Sequence, residues 1–191
     1  MIAATALVVA PAAAMAASGG TSGDPVAPPP VPAPSGCSVG TGGVAQADPT
    51  CAPPEAATLV GGRAVAPSSA PPQVKAVIAA ANKISTKPYI WGGGHRRWWD
   101  RGYDCSGAVS YVLHKGGLLD SPLDSRGLMK WGEAGPGQWI TVYSNRGHAY
   151  AVIAGLRWDT AGDESGTGPR WHPTLTAAAS GTFRVRHATG F

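Results

Sequence analysis

The stretch YDCSGAVSYVLHKGG, residues 103–117, carries the strongest local signal for the fold. Asp104 is of a residue type that favours a helix N-cap, and the run that follows it is mostly apolar up to Lys115. The two glycines after Lys115 end such a helix readily. The pattern therefore predicts a helix over 105–115, with Cys105 in its first turn.

The segments on either side predict helices first and strands afterwards. In PPQVKAVIAAANKIST (71–86) apolar residues recur at steps of three and four, which predicts a helix, and SPLDSRGLMKWG (121–132) predicts a short one. Strands are predicted, in chain order, at 138–143, 148–155, 156–160 and 182–187. This order indicates an α+β domain whose N-terminal helices pack on an antiparallel β-sheet.

Composition predicts where the folded domain begins. Residues 1–71 hold 12 of the 18 prolines and no aromatic residue, so all seven Trp, five Tyr and two Phe lie in 72–191. A segment of this kind buries too little apolar surface to offset its chain entropy. We therefore expect a disordered Ala/Pro/Gly/Ser-rich linker over 18–71 and a folded domain over 72–191. Cys37 and Cys51 lie in this linker, either as a disulfide or as two free thiols.

The N-terminus and the charge balance bear on location and partners. Residues 1–17 resemble a signal peptide, with an apolar run over 2–14 and AMA at 14–16 as a cleavage signal. No later stretch is long and apolar enough for a membrane anchor, so we expect a secreted or cell-wall protein. Residues 72–191 carry 14 Lys and Arg against 8 Asp and Glu, a balance of +6. These cations are scattered, which argues against nucleic acid as a partner and suits an anionic cell wall. We expect a monomer.

Cys105 has no second cysteine in its domain. Because exported proteins usually pair their cysteines, an unpaired one is a candidate nucleophile. The first turn of a helix favours a thiolate, and its free N–H groups can stabilise an oxyanion. The alternative is a buried structural cysteine. The small neighbours Ser106 and Gly107 favour exposure, because they would leave room for a ligand.

His148 and Asp159 are the candidate partners of the thiol. His148 opens a predicted strand in RGHAYAVIAG and suits a general base near neutral pH; the alternative is a structural histidine. If Gly155 and Leu156 form the next turn, Asp159 pairs with Val152. Asp159 then lies on the same sheet face as His148 but four residues along the strand. His172 is the alternative orienting residue, although a surface-loop position is the simpler interpretation.

Aromatic residues near the glycine loop could line a cleft. Tyr89 and Trp91 precede it in PYIWGGG, where Tyr89 could donate its phenol proton, although core packing is the alternative for both. Trp98 and Trp99 are adjacent, so we expect one of them to be exposed. The histidines do not fall at metal-ligand spacings, and we predict neither a metal nor an organic cofactor.

Three motifs, PYIWGGG, YDCSGAVSYVLHKGGL and GHAYAVIAG, occur in an order that resembles the NlpC/P60 family of papain-like cysteine peptidases. The resemblance covers roughly residues 72 to 165. It implies a papain-like core with Cys105 as nucleophile, His148 as base and Asp159 as the third member. It further implies that Tyr89 lies near the oxyanion site.

The same resemblance implies a substrate. Family members usually cut peptidoglycan stem peptides, often between D-glutamate and the following diamino acid, and Asp104 and Ser106 match positions that hold the free amine of the stem peptide. The longer GGGHRRWWDRG link and the unusual Asp159 are departures from the family pattern. Two alternatives stay open: a non-catalytic wall-binding or scaffold module, and an amidase or acyltransferase that uses the same thiolate.

Overall fold

The computed structural model describes residues 55–161, 168–173, 175 and 181–191. Its three helices are α1 (Pro72–Ile84), α2 (Cys105–Lys115) and α3 (Ser125–Leu128). Its strands are β1 (Thr58–Val60), β2 (Arg63–Val65), β3 (Glu133–Ala134), β4 (Ile140–Ser144), β5 (Ala149–Ile153), β6 (Leu156–Asp159), β7 (Arg170–His172) and β8 (Arg184–His187). No helix within these described ranges is long and apolar enough to cross a membrane.

The strands form a two-stranded hairpin, β1-β2, and a six-stranded sheet of order β3-β8-β4-β5-β6-β7. Every pairing in both sheets is antiparallel. The fold is therefore α+β with an antiparallel sheet, as predicted from the order of the helical and strand patterns. The helix over 105–115 has the predicted bounds, whereas β1, β2, β3 and β7 lie outside the predicted strands.

The core lies between the helices and one face of the sheet. Its members are fully or nearly fully buried, and on α1 and α2 they include Val74, Val77, Ile84, Val112 and Leu113. On the sheet they include Ala149, Ala151, Ile153 and Trp158, alternate residues of paired strands. Since complete burial of a Val, Leu or Ile side chain is worth about 1.5–3 kcal/mol, this face positions α2 against β5 and β6.

The folded part begins before the predicted boundary at residue 72. The hairpin β1-β2 lies within the predicted linker, and the side chains of Ala57, Ala64 and Ala70 are buried. The Ala57 N–H donates to the Ala154 carbonyl at 2.8 Å, and the Asn82 side chain bonds both backbone groups of Ala64. The prediction of a linker up to 71 is wrong for these residues, because small alanines can pack where aromatics are lacking. The predicted segment 1–17 and Cys37–Cys51 lie outside the described residues.

The turn between β5 and β6 differs from the predicted one. Ile153 pairs with Leu156, so the two turn residues are Ala154 and Gly155, and both have positive φ, at 46° and 81°. Such a turn suits the twist of a two-residue hairpin. Continued by one residue, this register sets Asp159 opposite Tyr150 rather than Val152. Since Tyr150 is two residues after His148, Asp159 is offset from His148 by two residues. The predicted offset of four residues is therefore wrong.

Candidate active site

Cys105 is the first residue of α2, and Asp104 caps that helix as predicted. The Asp104 carboxylate accepts hydrogen bonds from the N–H groups of Gly107 at 2.7 Å and Gly92 at 3.0 Å. None of the hydrogen bonds among the described residues uses the Cys105 N–H, which therefore stays available at the head of the helix. The Cys105 residue is buried, with 8% of it exposed, so the prediction that its small neighbours favour exposure is wrong.

Gly107 has a different role from the predicted one. A Cβ atom at this position would collide with the Gly93 carbonyl oxygen, so the missing side chain lets the 92–94 loop lie directly against α2. The glycine therefore provides close packing of the loop rather than room for a ligand. Beside it, Ser106 is also buried.

His148 is held in place by a short turn after β4. The Asn145 side chain accepts from the N–H groups of Gly147 and His148, both at 2.9 Å, and the Asn145 N–H donates to the His148 carbonyl at 2.9 Å. This is the turn that asparagine side chains typically form with the backbone two and three residues further on. Asn145 was not among the predicted site residues, although its position before Arg-Gly is a recognisable turn signal.

Asp159 contacts the imidazole directly. Its Oδ1 lies 2.8 Å from Nε2 of His148 and also accepts from the Ala161 N–H at 3.1 Å, while its side chain has no exposed area. The Arg157 guanidinium Nε lies 3.7 Å from the other carboxylate oxygen. Arg157 stands two residues before Asp159, so strand alternation places both on one face. That spacing was a signal for Arg157 that the sequence analysis did not use.

The pKa of His148 is raised to about 9. Burial is the largest influence and lowers this pKa, but it is outweighed by hydrogen bonds with Asp159 and Cys105 and by the negative charges of both groups. Because Asp159 takes Nε2, Nδ1 is the ring nitrogen that remains for the thiol. His148 therefore links Cys105 and Asp159 and is protonated at neutral pH.

His95 forms a second imidazole–carboxylate pair, at the cap of α2. Its Nε2 lies 2.9 Å from Asp104 Oδ1 and 3.2 Å from Ser106 Oγ, and the Ser106 hydroxyl donates to the same carboxylate at 3.2 Å. The hydrogen bond with Asp104 is the main reason that the pKa of His95 is raised. His95 was not among the predicted site residues, because no local spacing shows that the glycine loop folds back on Asp104.

The remaining predicted site residues lie at different depths. Tyr89 is half-buried and forms an isolated β-bridge with Tyr103. Burial, followed by the charges of Cys105 and Asp104, raises the pKa of Tyr89, so its phenol stays protonated. Trp91 is 86% exposed, so it is not a core residue. Of the adjacent tryptophans Trp99 is the exposed one, as expected, with the Lys87 ammonium 4.3 Å from its ring centroid.

His172 is not the surface-loop residue that the simpler interpretation supposed. It is 2% exposed on β7, where it pairs with Arg157 rather than with His148. Across the described ranges, no three His, Cys, Asp or Glu side chains are close enough together to hold a metal ion. The side chains of Cys105, His148 and Asp159 can support proton transfer to and from a thiol.

Comparison with known proteins gives likenesses among solved structures. The peptidoglycan hydrolase RipB of Mycobacterium tuberculosis is 22% identical, with a TM-score of 0.47 over 60% of this chain and 64% of that one. An NlpC/P60 family protein of Bacillus cereus is 19% identical, with a TM-score of 0.47 over 63% of this chain and 41% of that one. The resuscitation promoting factor interacting protein RipA is 20% identical in one mutant structure, with a TM-score of 0.45 over 73% of this chain and 74% of that one.

The chain is thus similar to solved NlpC/P60 proteins, as its motifs predicted, and it spans less than two thirds of the RipB and Bacillus cereus chains. No protein-family model matches it, and no curated protein matches it. At these identities and TM-scores, neither an activity nor a substrate follows from the likeness.

Proposed function

We propose that the domain is a secreted cysteine hydrolase that cleaves peptidoglycan stem peptides with Cys105, His148 and Asp159. The observation that carries this proposal is the His148 imidazole, which bonds a buried carboxylate 2.8 Å away and interacts with the thiol of a cysteine at the head of a helix. A nucleophile, a base and an orienting acid in this order are what covalent thiol catalysis requires.

The proposed reaction begins when the Cys105 thiolate attacks the carbonyl carbon of a peptide bond. The oxyanion that forms accepts a hydrogen bond from the Cys105 N–H, and the protonated His148 gives its proton to the departing amine as the C–N bond breaks. His148 then takes a proton from water, the resulting hydroxide attacks the thioester, and the carboxylic acid product leaves as the thiolate is restored. Asp159 keeps the ring oriented and stabilises its positive charge throughout.

The substrate assignment rests on the motifs and on the surroundings of the thiol. The motif resemblance implies a bond between D-glutamate and the following diamino acid. The resemblance assigns the substrate amine to Asp104 and Ser106, but both side chains are buried at the cap of α2 and bonded to each other. To hold an amine they would have to exchange one of these internal bonds, while Tyr89 and the exposed Trp91 would line the approach. Peptidoglycan lies outside the cytoplasmic membrane, in agreement with the predicted signal segment.

Hydrolysis of purified peptidoglycan tests the proposal. Cys105→Ala and His148→Gln should each lower the rate of amine release by about a thousandfold or more, because the covalent step fails without either group. His187→Gln is the matched control, since His187 also faces a carboxylate, Glu133, at 3.7 Å, but lies on β8 and takes no part in the proposed reaction. Retention of the parent rate by Cys105→Ala would refute the proposal, and analysis of the products distinguishes hydrolysis from acyl transfer.

A non-catalytic wall-binding module is the second candidate, because Cys105 is only 8% exposed. Alkylation with iodoacetamide near neutral pH, followed by peptide mapping of each cysteine, separates the two. A catalytic Cys105 should react faster in the native protein than in the same protein unfolded in urea, because only the folded protein holds a base beside the sulfur. A slower reaction in the native protein favours the non-catalytic module.

A further inference from the structure

A cationic groove lies on the side of the molecule formed by α3, the β4-β5 loop and β8. It has a volume of about 410 Å³. Its lining consists of five basic residues and one methionine: Arg126, Met129, Lys130, Arg146, Arg184 and Arg186. We refer to this feature as the α3-β8 groove.

Hydrogen bonds between elements that are distant in sequence hold the α3-β8 groove together. The Ser144 hydroxyl donates to the Ser125 carbonyl at 2.6 Å, which attaches α3 to β4. The Arg186 guanidinium Nε donates to the Met129 carbonyl at 2.8 Å, which attaches β8 to the chain just after α3. These two bonds hold α3, β4 and β8 beside one another, which brings the basic residues of these elements to one side of the molecule.

The basic side chains of the groove have no acidic partner among the described residues. Within the ranges that the structure describes, no carboxylate lies within ion-pair distance of any of the five. Glu133, on the strand next to β8, instead accepts from the Thr189 hydroxyl and faces His187. Since like charges held together raise the local potential, the groove attracts anions.

From this geometry we propose that the α3-β8 groove binds a linear phosphodiester polymer of the polyol-phosphate kind, as found in anionic cell walls. Four guanidinium groups match the fork geometry that phosphate oxygens accept. One carboxylate would neutralise only one of five positive charges, whereas successive phosphodiesters along a chain would neutralise several. The choice of a wall polymer rests on the proposed wall function.

The lining residues argue against two other anionic partners. Binding of single-stranded nucleic acid usually relies on aromatic side chains that stack on bases, and none is among the described residues that line the groove. Binding to an anionic membrane surface uses exposed apolar residues next to the cations. The large exposed apolar residues of the described chain, such as Trp91 and Val60, line no part of this groove.

The position of the groove gives such binding a consequence. Arg146 is two residues before His148, in the turn that Asn145 fixes. A polymer bound along the groove would therefore hold the domain on the wall with the candidate active site next to the point of attachment. Retention near an insoluble substrate raises the effective concentration of substrate without a new contact at the active site.

The test is a direct binding measurement with fluorescently labelled poly(glycerol phosphate) and the full chain carrying Cys105→Ala, so that no hydrolysis occurs. The double variant Lys130→Gln/Arg184→Gln should weaken binding by about tenfold or more, since removing a hydrogen bond to a charged group weakens an interaction by roughly a factor of ten. The matched control is Arg63→Gln/Lys75→Gln, which removes one Arg and one Lys that are also exposed but lie on β2 and α1. This control should change the Kd less than about twofold.

The dependence of binding on salt provides a second readout. Because each phosphate contact releases a counterion, the slope of log Kd against log salt should fall by roughly 1.5 in the groove variant and stay the same in the control. A variant that was only less well folded would bind less polymer but would keep the salt slope of the parent. Circular dichroism melting of both variants checks their folding.

Four outcomes would overturn the proposal. They are equal loss of binding in the groove variant and the control; equal affinity for polyglutamate of matched charge; tighter binding of an oligothymidylate, which would indicate nucleic acid; and tighter binding of phosphatidylglycerol vesicles, which would indicate a membrane. Peptidoglycan hydrolysis by the protein with Cys105 intact is measured separately. A failed binding test is thus distinguishable from a failed assignment of the active site.

Discussion

At the scale of single residues, His148 combines burial with two partners that favour its charged form. The Asp159 carboxylate and the Cys105 thiol together raise its pKa to about 9, against the ordinary value of 6.5, although burial acts in the opposite direction. A histidine whose pKa is raised in the folded state stabilises that state when it is protonated. The same interaction that would prepare the thiol for reaction therefore also contributes to folding stability.

This linkage predicts how stability depends on pH. The contribution of His148 is fully present below about pH 6.5 and is lost as the pH rises through about 9, because the folded pKa lies above the unfolded one. The difference in unfolding free energy between the parent and His148→Gln should thus be larger near pH 6 than near pH 10, by roughly 2–3 kcal/mol. Urea unfolding at a series of pH values measures it.

Asp159→Asn provides the control for this linkage. Replacing the carboxylate by an amide removes the negative charge that raises the pKa of His148 against the effect of burial. The alkaline loss of stability should therefore begin at a lower pH. An unchanged pH dependence in Asp159→Asn would mean that the carboxylate does not control the protonation of His148.

At the scale of elements, the capping residues of α2 and α3 differ in their hydrogen-bond partners. Asp104 caps α2 and Asp124 caps α3 with the same geometry, since each accepts from the N–H three residues later at 2.7 Å. The exposed Asp124 carboxylate makes this one hydrogen bond within the described part of the chain, whereas Asp104 also bonds Gly92 and His95. The α2 cap thus joins the helix to the glycine loop.

The comparison of the two caps gives the second prediction. Asp124→Ala should lower the free energy of unfolding by about 1 kcal/mol, the usual cost of a lost cap. Asp104→Ala should cost about 3 kcal/mol, because it also removes charge-assisted bonds from His95 and the loop. Equal losses of unfolding free energy in Asp104→Ala and Asp124→Ala, measured with denaturant near neutral pH, would contradict the role of Asp104 in joining the glycine loop to α2.

The stabilisation that the α2 cap provides should be lost at acidic pH. Burial raises the pKa of Asp104, but hydrogen bonds with His95 and Gly107 outweigh it, so the net pKa lies below its usual range. The stabilisation by Asp104 is therefore present above the ordinary carboxyl pKa and is lost as the pH falls through the lowered value. The excess cost of Asp104→Ala over Asp124→Ala should shrink in that acidic range.

At the scale of the whole molecule, the hairpin β1-β2 is tied to the rest of the domain by Asn82. The Asn82 amide bonds the N–H and the carbonyl of Ala64, and its oxygen also accepts from the Trp171 indole at 2.9 Å. Asn82 on α1 thus joins β2 and β7, which lie far apart in sequence. The hairpin is consequently part of the domain.

The third prediction concerns truncation. A protein that begins at residue 72 should be less stable than one that begins at residue 55 by about 3 kcal/mol, because it lacks the backbone hydrogen bonds of Ala57 and Ala64 and the burial of small alanines. For a domain of this size the melting temperature should fall by roughly 10 °C, measured by calorimetry. Equal melting temperatures would show that the hairpin contributes nothing, as expected if residues up to 71 were only a linker.

Local signals in the sequence were sufficient to predict part of this architecture. The cap at Asp104, the bounds of α2 and the alternation along β5 depend on contacts within a few residues, so periodicity and residue type reveal them. Cys105 and His148 were each predicted as candidate site residues because each is marked by its own segment. The order of helices and strands was enough to predict the α+β class with an antiparallel sheet.

The rest depended on groups that only folding brings together. The turn at Ala154–Gly155 sets the register that lets Asp159 reach His148, and one residue of slip would have removed that contact. His95 meets Asp104 only when the glycine loop folds back, and the cations of the α3-β8 groove come from three separate elements. The amino-acid sequence by itself determined the helix that carries the thiol and the strand β5, which begins at Ala149, one residue after His148. The tertiary structure decided the contact of Asp159 with His148, the contact of His95 with Asp104 and the convergence of the groove cations, because turn conformation and long-range packing set those distances.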